Sequence, residues 1–413
     1  MGTRTPSKGT VLVSGASIAG AAVAYWLHRY GYTVTVVEKS AGVRSGGYPI
    51  DVRGTAVEVV RRMGILPRLR EAHIASRRLT FLHADGSTVA SVRPQAIAGG
   101  DEGHDVEVPR GELVEALYGT VRDEVEFLFN DSVDTLTDHE NGVDVIFRSG
   151  LRRGFDLVLG ADGSHSRTRE LVCGPERRFH HYLGYCFTIF TMPNTLGLSH
   201  EALIWNAPGR AAALYAVRDS GELHAFLTFA HPRPPYETLR DPVAQRELVA
   251  ATFADDGWEI PGMVAAMHRA PDPFFDTVSQ IRMPRWSRGR TAFLGDAAYA
   301  PSFLTGQGSS LALVGAYLLA TSLATHPGDH TAAFAAYERD ARAFVELNQA
   351  QVGTGDAALF PTTAEALEKR NRRIRDLTTA PPRTGRPAHT ALTLPDPVDA
   401  GEPASTTHPA ASH

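Results

Sequence analysis

The sequence predicts an α/β protein: a doubly wound parallel sheet that carries an inserted antiparallel β-sheet domain and is closed by a C-terminal helix. Three observations predict it. Residues 10–40 run strand, glycine turn, helix, strand; two later apolar strands, 155–160 and 291–294, each empty into a loop of Asp and Gly; and between them residues 176–279 break into short strands divided by Gly, Pro and Asn. A strand–helix–strand crossover implies parallel pairing. Short strands at close spacing read as an antiparallel meander.

Taken in order, Val11-Leu12-Val13 is a strand-type apolar run, Gly15 to Gly20 turns the chain, and residues 21–30 follow at helical period. Tyr32 to Val37 is a second β-branched strand, ending in Glu38. Residues 79–92, with Asp85-Gly86 at a hairpin turn, go with the inserted sheet. Residues 110–123 form a helix with Leu113, Leu117 and Val121 on one face. Inside the insert, 185–191, 202–205, 211–218 and 223–230 are strands and 242–254 is helical. A small-residue helix over 309–323 follows the last parallel strand, and the helical pattern continues from 339 to about 377. The nucleotide-binding domain is thus discontinuous, at 10–75, 100–175 and 280–350. The substrate-binding insert takes 76–99 and 176–279, and a C-terminal helix takes 351–377. Residues 381–413, rich in Pro, Ala, Thr and Ser, are expected to be a disordered tail.

A chain of 413 residues, 43 % hydrophobic and 21 % charged, is long enough for two or three domains. Its formal charge of −5 argues against nucleic-acid or polybasic membrane binding, and with only three lysines (Lys8, Lys39, Lys369) arginine carries nearly all the positive charge. Cys173 and Cys186 make no disulfide framework, and no Cys/His cluster suggests a metal. No signal segment and no window of transmembrane length is evident, which points to a cytoplasmic enzyme.

Three segments carry chemistry. In the first, Gly15 permits a tight turn, Gly20 permits close packing of helix on strand, and Ser17 takes the place of a middle glycine, so that backbone N–H groups face a phosphate at the helix start. Glu38, at the end of the next strand, suits the two hydroxyls of a ribose. The alternative is an exposed charge paired with Lys39. In the second segment, the strand 155–160 runs into Asp162-Gly163, with Ser166 and Arg169 at fixed offsets. The third runs from Gly295-Asp296 through Pro301 to Gly306-Gln307-Gly308, where an aspartate at a strand exit suits a polyol and a helix start suits an electron-rich ring edge.

Together these motifs resemble the single-component FAD-dependent monooxygenases of the p-hydroxybenzoate hydroxylase family over residues 10–350. The resemblance implies a Rossmann-like FAD-binding domain. In it Gly15, Ser17, Gly20 and Glu38, with neighbouring Lys39, would bind the ADP half of non-covalent FAD. Arg110 would contact the flavin chain. Asp162, Gly163, Ser166 and Arg169 would lie near the pyrophosphate, and Gly295 and Asp296 at the ribityl chain. Pro301, Gly306, Gln307 and Gly308 would lie beside the isoalloxazine. It further implies that NADPH or NADH reduces the flavin, that O2 adds at C4a, and that the hydroperoxide delivers one oxygen atom to an electron-rich carbon. No side chain is assigned to acid–base catalysis. The segment Gly46-Gly47-Tyr48-Pro49-Ile50-Asp51-Val52-Arg53-Gly54 is similar to the branch of tetracycline-inactivating and polyketide-tailoring hydroxylases. Tyr299, Ser310 and Gly315 depart from the common His, Asn and Asp.

The implied reaction is hydroxylation of an aromatic or polycyclic phenolic compound. An epoxidase or Baeyer–Villiger-type oxygenase, or a flavin-containing protein that sequesters a drug, are the alternatives. Phe190, Trp205, Tyr215, His224 and Phe226 are the candidates for the substrate pocket, and for each of them the alternative is packing in the core of the insert. Trp258 resembles part of a halogenase motif, but the lysine such enzymes need is missing from residues 40–368. The expected partners are a small aromatic substrate and O2, with no nucleic acid, membrane or obligatory protein partner.

Overall fold

Val11, Leu12 and Val13 are completely buried because their strand lies inside a parallel sheet covered on both faces. The computed structural model describes residues 7–43, 47–99, 103–271, 273–352, 360–378 and 386–398. Strands Thr10–Ser14, Thr33–Glu38, Glu126–Phe129, Leu157–Gly160 and Thr291–Phe293 pair in parallel, and Ser287–Arg288 closes one edge antiparallel. The spatial order is 287–288, 291–293, 157–160, 10–14, 33–38, 126–129. Side chains alternate along the strands. Val11 and Val13 share a core with helices Ile18–Arg29 and Gly308–Thr325. Leu12 and Val158 pack instead with a three-stranded antiparallel sheet, Val133–His139, Gly142–Phe147 and Arg152–Phe155.

The inserted domain is a seven-stranded sheet in the order 274–281, 180–193, 222–230, 210–216, 201–207, 78–82, 88–92. All its pairs are antiparallel except Glu201–Ala207 with Arg78–Leu82. Helices Pro242–Thr252 and Ile260–Arg269 cover its outer face, where Val249 and Met263 meet Trp205 and Leu214. The inner face looks onto the parallel-sheet domain, with Phe187, Ile189 and Val278 against Tyr48 and Leu304. Helix Ala364–Leu377 caps the far end of that inner face through Ile374 on Phe81 and Val92. His180 and His181 begin the long strand His180–Pro193.

Two expectations are corrected here. Helix Gly308–Thr325 is long and apolar enough to cross a membrane, contrary to the reading that no window reaches that length. It is apolar all round because protein surrounds it, with 83 % of its residues buried. The presumed tail is also ordered over 386–398, which docks on the nucleotide-binding domain. Thr55 Oγ1 donates to the Leu392 carbonyl at 2.7 Å, Tyr317 Oη to that of Pro395 at 2.7 Å, and Asn348 Nδ2 to that of Ala388 at 2.9 Å. Composition misleads in this segment because it is held by its carbonyls and by few apolar anchors, Leu394 among them, rather than by a large apolar face. Gly54 is required beneath it: φ is +53°, and a Cβ there would lie 2.1 Å from the His389 carbonyl oxygen. Residues 381–385 and 399–413 lie outside the described residues.

Candidate active site

The glycine turn has the tightness its sequence demands. Gly15 has φ +104°, and a Cβ on it would stand 2.6 Å from the Ala161 carbonyl oxygen, while a Cβ on Gly20 would stand 1.8 Å from that of Gly15. Strand, turn and helix therefore close on one another with no side chain between them. Ser17 begins the helix without capping it, and its hydroxyl instead accepts a 2.7 Å hydrogen bond from Arg110 Nη2. Glu38 is not paired with Lys39, which is exposed. Its carboxylate turns back to the glycine turn and accepts from the Ala16 N–H at 3.0 Å and the Ser40 N–H at 3.0 Å.

The two later motifs are joined by one buried side chain. Asp162 accepts from Ser166 Oγ at 2.5 Å and from Thr168 N and Oγ1 at 2.9 Å each, anchoring the start of helix Arg167–Cys173. Gly163 turns the chain at φ +85°. Arg169 is wholly buried, and its guanidinium donates to the carbonyls of Ala297 at 2.9 Å and Ser164 at 2.6 Å. It thus ties the Asp162 loop to the Asp296 loop. His165 bridges the domains, between Glu176 at 3.0 Å and Asp276 of the inserted sheet at 3.1 Å.

Asp296 follows the left-handed Gly295, at φ +59°, and its carboxylate makes no hydrogen bond among the described residues. Burial raises its pKa, with Arg110 opposing and Asp276 adding to the shift. Gly308, the first residue of the long core helix, lies beside Asp296. The buried Gln307 Oε1 also lacks a partner among the described residues. An unpartnered carboxylate at a strand exit fits the hydroxyls of a ribityl chain, and the glycine turn fits a pyrophosphate. These residues suit FAD. The loop between them is braced from behind: Gln280 Nε2 donates to the Pro301 carbonyl at 3.0 Å, and Gln349 Nε2 to those of Tyr299 and Ala300 at 3.2 Å. The departures Tyr299 and Gly315 are complementary, since a Cβ at 315 would come within 1.9 Å of Tyr299 Oη, which bonds Tyr337 Oη at 2.8 Å.

Register sorts the substrate candidates. Tyr215 pairs with His224, and Phe226 follows two residues on, so these three share the inner face. Phe226 meets Tyr48 edge-on at 6.2 Å. Phe190 pairs with Ala225, and Trp205 with Ala212, on the opposite face. Both pack the outer core, where Trp205 Nε1 donates to the Ala84 carbonyl at 3.0 Å. Their assignment to the pocket is corrected: an aromatic in a strand has even odds of either face until the register is known.

Asp51, Arg53 and Glu107 are the residues that sequence reasoning missed. Strands Pro49–Val52 and Val106–Pro109 pair antiparallel with Asp51 opposite Glu107. With Ser76, Leu79, Ile97 and Tyr215 they line a cavity of about 220 Å³ between the domains. Asp51 carries a 2.8 Å salt bridge to Arg53 and lies 3.2 Å from the Cβ position of Gly306, so the cavity adjoins the loop that leads into the long core helix. Tyr215 Oη donates to Glu107 Oε1 at 2.7 Å and Ser76 Oγ to Glu107 Oε2 at 3.0 Å. Burial, and then the Asp51 carboxylate, push the Glu107 carboxyl up to about 7. The available signal was charge at alternate positions, 51/53 and 105/107, of two short strands flanking the expected flavin residues.

Residues 8–351 match the FAD binding domain family. The chain is 37 % identical over 369 residues to a flavin-dependent monooxygenase of an unknown prokaryotic organism, covering 89 % of this chain and 95 % of that one. It is also 37 % identical over 339 residues to a flavin-dependent monooxygenase of Legionella longbeachae, covering 82 % and 86 %. The crystal structure of tetracycline destructase Tet(55) superposes with a TM-score of 0.80 at 36 % identity, covering 94 % of this chain and 99 % of that one. The chain therefore belongs to the FAD binding domain family and is a flavin-dependent monooxygenase that carries FAD.

Proposed function

We propose that this cytoplasmic enzyme draws reducing equivalents from NADPH or NADH and inserts one oxygen atom of O2 into an aromatic or polycyclic phenolic compound, in the tailoring or the inactivation of an antibiotic-type natural product. The interdomain cavity carries the reading: it adjoins Gly306 on the flavin side, and Tyr215 lines it from the inner face of the inserted sheet. The bound FAD supplies the redox chemistry and the activated oxygen. The chain's own residues bind and orient it. Gly15, Ser17, Gly20 and Glu38 would take the ADP half, Arg110 the connecting chain and Asp296 the ribityl hydroxyls. Pro301, Gly306, Gln307 and Gly308 would lie along the ring. Asp162 and Arg169 support those contacts by fixing the loops that make them. The inserted sheet and helix Ala364–Leu377 exclude water and hold the substrate against the ring edge.

The likeness to a tetracycline destructase makes tetracycline the first compound to try, followed by a panel of aromatic polyketides. A substrate should accelerate NADPH or NADH oxidation and yield a product heavier by about sixteen daltons, one oxygen atom. A protein that binds such compounds tightly, yet oxidises neither nucleotide faster in their presence, would not be acting on them.

A further inference from the structure

We infer that Gln280 and Gln349 are positioning residues for the flavin: their side-chain amides hold the turn at 299–302 in a strained shape, and that shape fixes where Gln307 presents its side chain. The inference deepens the reading above and rests on one part of it, that residues 301–308 lie along the flavin ring. Gln280 is completely buried near the end of strand Phe274–Ile281, the edge strand of the inserted sheet. Its Nε2 donates to the Pro301 carbonyl at 3.0 Å and to the Gln349 carbonyl at 2.8 Å. Its Oε1 accepts from Arg282 Nε at 2.9 Å and Nη2 at 2.6 Å. A guanidinium has no acceptor and a carbonyl has no donor, so the amide fits this position in one orientation only. Gln349 ends helix His330–Gln349, and its Nε2 donates to the Ile281 carbonyl at 2.9 Å as well as reaching those of Tyr299 and Ala300. The Ile281 N–H adds a bond to the Ala300 carbonyl at 3.1 Å. Edge strand, helix and turn are thereby stitched together on the side of the turn away from Gln307.

The turn needs such a hold. Ser302, buried, has φ +78° and ψ +146°, a backbone conformation that glycine adopts freely and a residue with a Cβ does not. A residue strained in this way persists only where its surroundings over-determine it. Here the two carbonyls that precede it, those of Ala300 and Pro301, are the ones fixed by Gln349 and Gln280. The consequence runs forward along the chain. The Ser302 carbonyl accepts from Thr305 Oγ1 at 3.0 Å, and the same hydroxyl oxygen accepts from the Gln307 N–H at 3.1 Å. A Ser302 that relaxed to negative φ would therefore carry Gln307 with it. Gln307 is the side chain whose buried Oε1 lacks a partner among the described residues, which suits it to meet a bound group. An apolar side chain at 280 would take the donor from the Pro301 carbonyl and release the turn at its most strained point.

The test measures FAD affinity by reconstitution of stripped protein, and the visible circular dichroism of the bound, oxidised flavin, neither of which depends on turnover. Gln280→Met and Gln349→Met should each weaken FAD binding about tenfold and alter the dichroism. Arg282→Leu removes only the exposed cation that orients Gln280 and should weaken binding by about threefold. It decides the matter if the buried substitutions do not fold. Ser302→Gly supplies the readout that a merely structural brace would not move. Added to Gln280→Met, it should recover most of the lost affinity and the wild-type dichroism, because glycine holds φ near +78° without strain. Variants that melt lower, yet bind FAD within about twofold of wild type with unchanged dichroism, overturn the inference. A Ser302→Gly substitution that recovers nothing overturns it as well. Gln307→Leu separates this inference from the reading beneath it. If Gln307→Leu changes affinity or dichroism while the variants at 280, 282 and 349 do not, the positioning role fails and the placement of residues 301–308 stands. If Gln307→Leu changes neither, that placement falls and takes the inference with it.

Discussion

Asp296 is an ionisable group that the fold keeps without a partner, and its removal should act in opposite directions on flavin binding and on the stability of the flavin-free protein. The carboxylate makes no hydrogen bond among the described residues, and burial raises its pKa. A folded-state pKa above the unfolded one means that the native protein holds that proton more tightly than the unfolded chain does. Stability is then lost as pH rises through the carboxylate range, and the ionised form weakens the flavin-free fold at neutral pH. Asp296→Ala removes this penalty. The flavin-free variant should melt above the flavin-free wild type at neutral pH, with the difference vanishing below about pH 4. FAD, by contrast, loses a charge-assisted hydrogen bond of about 1.5–3 kcal/mol, so its dissociation constant should rise about 10–150-fold. Reconstitution titrations of stripped protein read the second effect and thermal melts across pH read the first. Where flavin is retained, a misplaced ring should leak peroxide in place of product, and a displacement of around 1 Å can cost on the order of a hundredfold in rate. An unchanged FAD affinity, or a flavin-free variant less stable than wild type at neutral pH, would refute the role given to this carboxylate.

Glu38→Ala should weaken FAD binding by about 1–3 kcal/mol in the same titration. An unchanged value would leave Glu38 only its bonds to Ala16 and Ser40. Truncation before Arg386 should lower the melting temperature and reduce soluble yield, because it removes the carbonyls that Thr55, Tyr317 and Asn348 use; a truncated protein that melts with wild type would show that this docking is inconsequential. His165, hydrogen-bonded by Asp276 and Glu176, has its imidazole pushed up to about 10. Its stabilising contribution is complete below the ordinary imidazole range and is lost as pH rises towards about 10, so wild type should lose urea resistance relative to His165→Gln across that window. Parallel pH profiles for the two proteins would count against the bridge.

The local geometry of the glycine turn and of the strand exit at Asp296 was legible in the linear chain, because its demands are local. A strand, a turn too tight for side chains at 15 and 20, and a helix are adjacent in sequence, and so are a strand and the aspartate at its exit, as at Asp296. Sequence periodicity also separated the parallel domain from the insert, since continuous apolar strands and turn-divided strands carry different patterns. What the sequence leaves open is whatever depends on pairing between distant segments. Only register put Tyr215, His224 and Phe226 on the inner face and sent Phe190 and Trp205 to the outer core, for a strand shows two faces and a shift of one residue exchanges them. Only packing revealed that Gly315 makes room for Tyr299, that Gly308–Thr325 is apolar because protein encloses it, and that a Pro-rich segment could dock through its carbonyls. The Glu107 carboxyl is the sharpest case. Its neighbours Asp51, Ser76 and Tyr215 come from three other parts of the chain, and its ionisation is set by their distances and by exclusion from water, quantities that exist only once the chain has folded.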